Sequence, residues 1–330
     1  MTMYSDHYGF SDRPFQLTPD PRFWFGSQTH RKAMAYLGYG LAQGEGFIVI
    51  TGDIGAGKTT LVGHLLGTLD RARFTALNIV STQVEGDDML RLVAHGLGLS
   101  VEGVAKAQLL DRVERKLDEQ ARLGKHVLII VDETQNLPTS ALEELRMLSN
   151  YQVGNRSLVQ IVMLGQPEFR DRLREAPELE QLRQRVIATH HLDPMAEDEI
   201  EPYIMHRLNQ VGYAGVPAFA PATFAALYNA SGGVPRILNT LMGRVLLNGA
   251  LENLSTIDED TIGTVVEDAH AEARSPTATA IVALDSLAEE RIARLEARVK
   301  EQEAALCRVL SLLVSWVEAD ANAGKRSDAA

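Results

Sequence analysis

The stretch Gly52-Asp53-Ile54-Gly55-Ala56-Gly57-Lys58-Thr59-Thr60 carries a cation and a hydroxyl, Lys58 and Thr59, behind small residues in the spacing Gly-x-x-x-x-Gly-Lys-Thr. Small residues let successive backbone N–H groups turn inward as a nest for an anion, and a helix starting near Gly57 adds its positive end. In such a phosphate loop Lys58 reaches the β- and γ-phosphates of a nucleoside triphosphate, and Thr59 holds Mg²⁺. Further along, the apolar run His126–Val131 closes on Asp132-Glu133. Alone, an acidic pair after a strand is commonly only a helix start. Behind a phosphate loop it reads as the Walker B arrangement, with Asp132 holding Mg²⁺ through its water shell and Glu133 accepting a proton from the attacking water.

Two further side chains are candidates. Gln166 follows the run Leu158–Leu164 and Gly165. If that run lies between the two Walker strands, Gln166 can touch both the γ-phosphate and the water; otherwise it only closes the strand in a turn. Asn78, near the end of the run Phe74–Val80, is a weaker candidate for holding Glu133 in an unproductive pose.

The elements that must position these residues alternate in type. Apolar runs at Phe47–Thr51, Phe74–Val80, His126–Val131, Leu158–Leu164 and Val186–His191 read as buried strands. Between them, helical periodicity covers Gly57–Leu69, Asp87–Leu97, Ala105–Leu123 and a stretch with Leu142, Leu145 and Leu148 on one face. This βα repeat predicts an α/β fold, a parallel sheet wrapped by helices with its ligand at the carboxyl ends of the strands. A helix over Gln28–Gln43 precedes the first strand and is broken by Gly44–Gly46.

Residues 1–26 form an arm dense in aromatics and prolines, including Tyr4, Phe10, Pro14, Phe15, Pro19, Pro21, Phe23, Trp24 and Phe25. Prolines so close argue against a regular helix, and so many aromatics are not left in water. The arm is expected to lie pinned on the main domain, where Arg22 to Phe25 either pack only or border an adenine. The core is placed at 27–193 and an all-helical lid at 194–272. In that lid Gly212, Gly215 and Pro217 separate the first two helices, and Gly232-Gly233-Val234-Pro235-Arg236 starts another. A linker at 273–280 leads to a coiled-coil helix at 281–320, where positions 295, 299, 302, 306, 309, 313 and 316 hold Leu, Val, Gln, Leu, Val, Leu and Trp. That seam suits self-association or the docking of a partner. The tail 321–330 is expected to be disordered.

Over 330 residues the net charge is −12, which disfavours nucleic acid as a partner while leaving room for a local basic patch. One cysteine, Cys307, fits a reducing compartment. With no signal peptide and no long apolar run, the expectation is a cytoplasmic protein without a transmembrane segment, free to sit peripherally at an inner membrane. No Asn-Lys-x-Asp guanine-reading motif occurs, so the triphosphate is expected to be ATP.

Tyr8-Gly9-Phe10, Pro14-Phe15, Leu17-Thr18-Pro19-Asp20-Pro21 and Gly44-Glu45-Gly46-Phe47 stand beside these motifs. With them, Tyr8 to Asp268 resembles AAA+ ATPases of the ExeA/GspA-like group, closest to those that accompany exosortase (PEP-CTERM) and exopolysaccharide-export loci. The resemblance implies an ATP- and Mg²⁺-dependent ATPase with a helical lid, assembled as a homo-oligomer. Its implied partners are protein components of a secretion or polysaccharide-export apparatus. It also implies Gln166 as sensor 1, Arg236 as sensor 2, and Arg183 or Arg185 acting on a neighbouring subunit's ATP. Secretion-pathway members continue into a membrane span and a peptidoglycan-binding region; a coiled coil is expected here instead, so a cell-wall role is not carried over. The competing readings are a DNA-associated AAA+ regulator of the transposition or initiator type, and a nucleotide-loaded scaffold. The second carboxylate, Glu133, speaks against the scaffold.

Overall fold

Strands that are apolar on both faces need helices over each of them, and the chain supplies both layers. The computed structural model describes residues 3–80 and 84–274. The predicted linker, coiled coil and tail lie outside the described residues, except for the linker's first two positions. The chain divides into two compact units, 1–266 and 267–330, and the sheet, arm and lid core belong to the first.

Five strands, β1 (Phe47–Gly52), β2 (Phe74–Val80), β3 (His126–Asp132), β4 (Val159–Gly165) and β5 (Val186–Leu192), form one parallel sheet in the order β2-β3-β4-β1-β5. The helices of the core are α2 (Gln28–Gln43), α3 (Lys58–Thr68), α4 (Gly86–Gly96), α5 (Lys106–Arg122), α6 (Thr139–Leu148), α7 (Pro167–Glu175) and the short α8 (Glu180–Arg183). Strand alternation sorts the core into two layers. Phe47, Val49, Val127, Ile129, Val131, Ile161 and Met163 face α4 to α8, whereas Ile48, Ile50, Leu128, Ile130, Val162 and Leu164 face α2 and α3. Gln160 is the polar exception on the second face. Its amide donates to the carbonyl oxygens of Gly40, at 2.6 Å, and Glu45, at 3.1 Å, which ties the end of α2 to the sheet.

The register matters most at the carboxyl edge. Thr51 pairs with Gly165 and Val131 with Met163, so β4 does lie between the two Walker strands and Gln166 emerges between them.

The lid holds α9 (Ile200–Asn209), α10 (Pro221–Ser231), α11 (Pro235–Leu251) and α12 (Glu259–Arg274). A short ribbon corrects the expectation of an all-helical lid. Ala218–Phe219 and Thr256–Ile257 pair as a two-residue parallel ribbon, too short to leave a periodic signal. A second small feature without a sequence signal is the antiparallel hairpin of Gln152–Val153 with Arg156–Ser157, turned at Gly154 and leading into β4.

The arm corrects two expectations. Met3–Tyr8 is a helix, α1, which is free to form because the first proline comes only at position 14. The arm also packs chiefly into the lid's core, while its Trp24 rests on α3 of the main domain. Tyr4, Tyr8, Phe10, Phe15 and Phe23 share one cluster with Ile200, Ile204, Leu227, Met242 and Leu246. One backbone bond and one side-chain bond seal the join: Ser11 N–H donates to the Val211 carbonyl at 3.0 Å, and the Arg207 guanidinium donates to the Pro14 carbonyl at 2.9 Å. Among the described residues no helix is long and apolar enough to cross a membrane.

Candidate nucleotide site

The loop between β1 and α3 takes the shape its sequence requires. Gly55 and Gly57 sit at φ +88° and +94°, a region side chains rarely adopt, and Ala56 N–H closes the turn on the Asp53 carbonyl at 3.1 Å. A side chain at Gly55 would also collide with the lid, since a Cβ there would lie 2.5 Å from the Cβ of Arg236. No side chain caps α3, so the first-turn N–H groups are free to meet an anion.

Lys58 is 7% exposed, and its ammonium donates to the carbonyls of Gly52 at 2.7 Å and Asp53 at 3.0 Å. Burial lowers its pKa, and the carboxylates of Glu133, Asp132, Asp53 and Glu168 pull it back up. The Thr59 hydroxyl donates to Asp132 Oδ2 at 3.2 Å, so the two predicted metal-holding residues meet directly. A hydroxyl and a carboxylate are hard oxygen donors that suit Mg²⁺. Among the described residues no cluster of three or more His, Cys, Asp or Glu side chains could hold a metal alone, so the ion would complete its shell with phosphate oxygens and water.

Glu133 stands at φ +54°, outside the ordinary range for a residue with a side chain. The surrounding bonds impose that conformation. Glu133 N–H donates to Asp132 Oδ1 at 2.9 Å, and Asn136 N–H donates to the Glu133 carbonyl at 3.0 Å. The buried Thr134 hydroxyl donates to the Leu164 carbonyl at 2.9 Å. Strain held this firmly is characteristic of a working site. Asn78, exposed on the edge strand β2, makes no hydrogen bond to Glu133 in this conformation, although it lines a cleft with Thr59, Thr60 and Asp132. The side chain bonded to Glu133 is Gln135, whose amide nitrogen lies 2.5 Å from Glu133 Oε2 and whose amide oxygen accepts from Gln166 N–H at 3.1 Å. The signal was present in Glu133-Thr134-Gln135-Asn136. An amide two residues beyond a carboxylate reaches it only when the chain turns tightly, as the 3-10 turn Thr134–Asn136 makes it do.

The lid closes the cleft from the other side. Arg236 opens α11, and its N–H donates to the Gly55 carbonyl at 3.3 Å, so the predicted helix start does abut the phosphate loop. The cleft is lined further by Pro19, Phe23, Trp24, Phe25, Met195, Tyr203, Arg207 and Asn239. Trp24 stacks on His64 of α3 at 4.2 Å and meets the edge of His30 at 5.3 Å. Beneath the loop, His30 Nδ1 lies 2.7 Å from the Ser27 hydroxyl, while its Nε2 faces Gly57, 2.7 Å from where a Cβ would stand. Burial pushes the His30 pKa down to about 4, against the upward pull of the Gly57 and Ala56 backbone.

The two candidate finger arginines are not in this cleft. Arg185 precedes β5, its carbonyl accepts from Phe47 N–H at 2.9 Å, and its guanidinium donates to the Ser149 hydroxyl at 3.0 Å. It therefore sits at the amino edge of the sheet, a strand's length of roughly 16 Å from the phosphate loop at about 3.3 Å per residue. Arg183 donates to the carbonyls of Arg174, at 2.6 Å, and Leu173, at 3.2 Å, and is paired with Glu180.

Residues 41–173 match the model of the AAA domain family, described as AAA domain. The architecture, a phosphate loop on a parallel five-stranded sheet wrapped by helices, is that of the P-loop AAA+ fold. General secretion pathway protein A of Aeromonas hydrophila is 36% identical over 246 residues, covering 74% of this chain but 44% of the relative, so the chain spans less than half of that protein. Solved structures agree on the fold. The Aeropyrum pernix ORC2 protein in ADPNP-ADP complexes superposes with a TM-score of 0.58 at 15% identity, covering 78% of this chain and 72% of that one. The Drosophila ORC bound to DNA superposes with a TM-score of 0.59 at 14% identity, covering 83% and 67%.

Proposed function

We propose that this chain binds and hydrolyses ATP, and that it works as an oligomeric AAA+ motor or switch for a secretion or exopolysaccharide-export apparatus. The observation that carries the chemistry is the meeting of Lys58, Thr59, Asp132 and Glu133 at the carboxyl ends of β1 and β3. Lys58 would leave the Gly52 and Asp53 carbonyls for the β- and γ-phosphates. Thr59 and Asp132 would hold Mg²⁺, which would supply positive charge against the phosphates. Glu133 would take the proton of a water as its oxygen attacks the γ-phosphorus and the bond to the ADP oxygen breaks. Gln166 and Arg236 would sense the γ-phosphate from the strand tip and from the lid. Arg185 or Arg183 would reach only a neighbouring copy's nucleotide.

The secretion assignment rests on the likeness to general secretion pathway protein A. The narrower tie to exosortase-type and exopolysaccharide export rests on the residues of the arm. The competing reading, a DNA-associated regulator, draws on initiator structures alike in fold alone at 14–15% identity, and it sits poorly with a net charge of −12.

Steady-state ATPase and nucleotide-binding measurements on the full chain test the proposal. Lys58→Ala is expected to abolish tight ATP binding, and Glu133→Gln to keep binding while losing roughly 10²- to 10⁴-fold in rate, the usual worth of a general base. A Glu133→Gln protein as fast as the parent would show that the base is another group. Repeating the assay with DNA and with anionic vesicles separates the partner readings, because stimulation by DNA and none by vesicles would favour the regulator.

A further inference from the structure

The geometry points to Gln135 as the positioning residue of the hydrolytic base, wiring Glu133 to the strand tip that carries Gln166; this rests on the ATPase reading above. Three observations converge on one amide. Its nitrogen donates to Glu133 Oε2 at 2.5 Å, fixing one carboxylate oxygen and leaving the other to receive a proton. Its oxygen accepts from Gln166 N–H at 3.1 Å. The turn that carries it, Thr134–Asn136, is fastened to the same strand end by the buried Thr134 hydroxyl on the Leu164 carbonyl, where Gly165 leaves no room for a side chain: a Cβ there would stand 2.6 Å from Thr134 Oγ1.

The consequence is directional. A carboxylate on a residue at φ +54° could swing through several rotamers at the mouth of an open cleft. An amide anchored at its far end removes most of them. Because the anchor is the backbone N–H of Gln166, any shift of that strand tip toward a γ-phosphate is passed to Glu133 through one side chain. A carboxylate or an alkyl group could not serve at position 135, since the role needs a donor and an acceptor about 2 Å apart on one rigid plane, which the amide supplies.

Two substitutions separate positioning from mere fastening. Gln135→Glu keeps an acceptor for Gln166 N–H but turns a like charge toward Glu133, whereas Gln135→Leu removes both bonds. The full chain is assayed with MgATP for kcat and KM, with a fluorescent ATP analogue for affinity, and by thermal melting for folding. Both variants are expected to lose at least about tenfold in kcat, with nucleotide affinity within about twofold of the parent and Gln135→Glu at least as impaired as Gln135→Leu. Parent-like kcat in Gln135→Glu with a loss in Gln135→Leu would show that the amide only fastens the turn, and would overturn the inference. So would a loss of affinity equal to the loss of rate. If Gln135→Leu does not fold, the Gln135→Glu result decides alone. A parent no faster than Lys58→Ala would instead sink the ATPase reading itself, and with it any base to be positioned.

Discussion

The cleft has two walls built in opposite ways. The sheet wall draws its chemistry from short pieces of chain, residues 52–60, 132–135 and 166, each placed by the end of a buried strand. The arm–lid wall gathers Phe23, Trp24, Met195, Tyr203, Arg207 and Asn239 from positions more than 200 residues apart. On the first wall backbone geometry is forced, with φ above +50° at Gly55, Gly57 and Glu133, and hydrogen bonds made by the side chains of Lys58, Asp132, Thr134 and Gln135 hold it. On the second, aromatic burial does the holding. Arg207 lies 7% exposed between the rings of Phe23 and Tyr203, at 5.1 and 5.3 Å, with the Pro14 carbonyl as its hydrogen-bond partner and its Nε unpaired. Burial lowers its pKa without a carboxylate partner in bonding range. A wall of this kind holds its shape mainly through packing, with a few hydrogen bonds such as that of the Tyr203 hydroxyl to Asn239 at 2.8 Å.

The strongest way to sharpen the contrast is to ask for a third wall. Arg185 lies at the far edge of its own sheet, so any action on a γ-phosphate must cross between copies. Arginines that act in this way are worth roughly 10³ to 10⁵ in rate. Arg185→Ala and Lys58→Ala proteins, each inactive alone, are expected to recover measurable turnover when mixed, and the parent's specific activity should rise with protein concentration. No recovery on mixing would move the role to Arg183 or confine catalysis to one subunit.

Breaking the arm–lid wall should cost stability before it costs chemistry. Phe10 is 3% exposed within the lid's cluster, and emptying such a site costs about 3–5 kcal/mol. Phe10→Ala is therefore expected to lower the melting temperature of the lid-containing unit and to weaken ATP binding, while kcat at saturation changes little. A large fall in kcat with unchanged affinity would mean that the arm acts on the sheet wall after all.

This asymmetry also explains what could be read in advance. The phosphate loop was legible as a local pattern, and Asp132-Glu133 became legible only in its company, whereas the placing of β4 between β3 and β1 is a long-range pairing that no local pattern contains. The arm's destination was not legible. Burial of Phe10 and Phe15 was demanded by their type, but nothing in residues 1–26 says whether the receiving surface is sheet or lid, and that surface comes from helices near position 240. Gln135 was missed for a different reason. Its reach to Glu133 depends on a left-handed backbone at Glu133 itself, which no propensity favours for glutamate.

The smallest expected effect links the two walls through one histidine. His30 opens α2 behind the arm's Trp24 and lies under Gly57, and burial holds its pKa near 4 against an ordinary value of 6.5. Between those values the unfolded chain binds a proton that the folded chain refuses, so stability is full above pH 6.5 and falls as the pH drops toward 4. From pH 7 to 5 the loss from this group amounts to about 1–2 kcal/mol, in the same direction as that from His126, His190 and His206, whose pKa values burial also lowers. Gln at position 30 can keep a donor near the loop without titrating. The His30→Gln protein is thus expected to melt less steeply with falling pH than the parent, by a margin visible between pH 7 and 5, with little change at pH 8. If both proteins lose the same number of degrees over that range, the imidazole is not the buried neutral group beneath the phosphate loop, and the link from arm to loop must run through the Trp24–His64 stack instead.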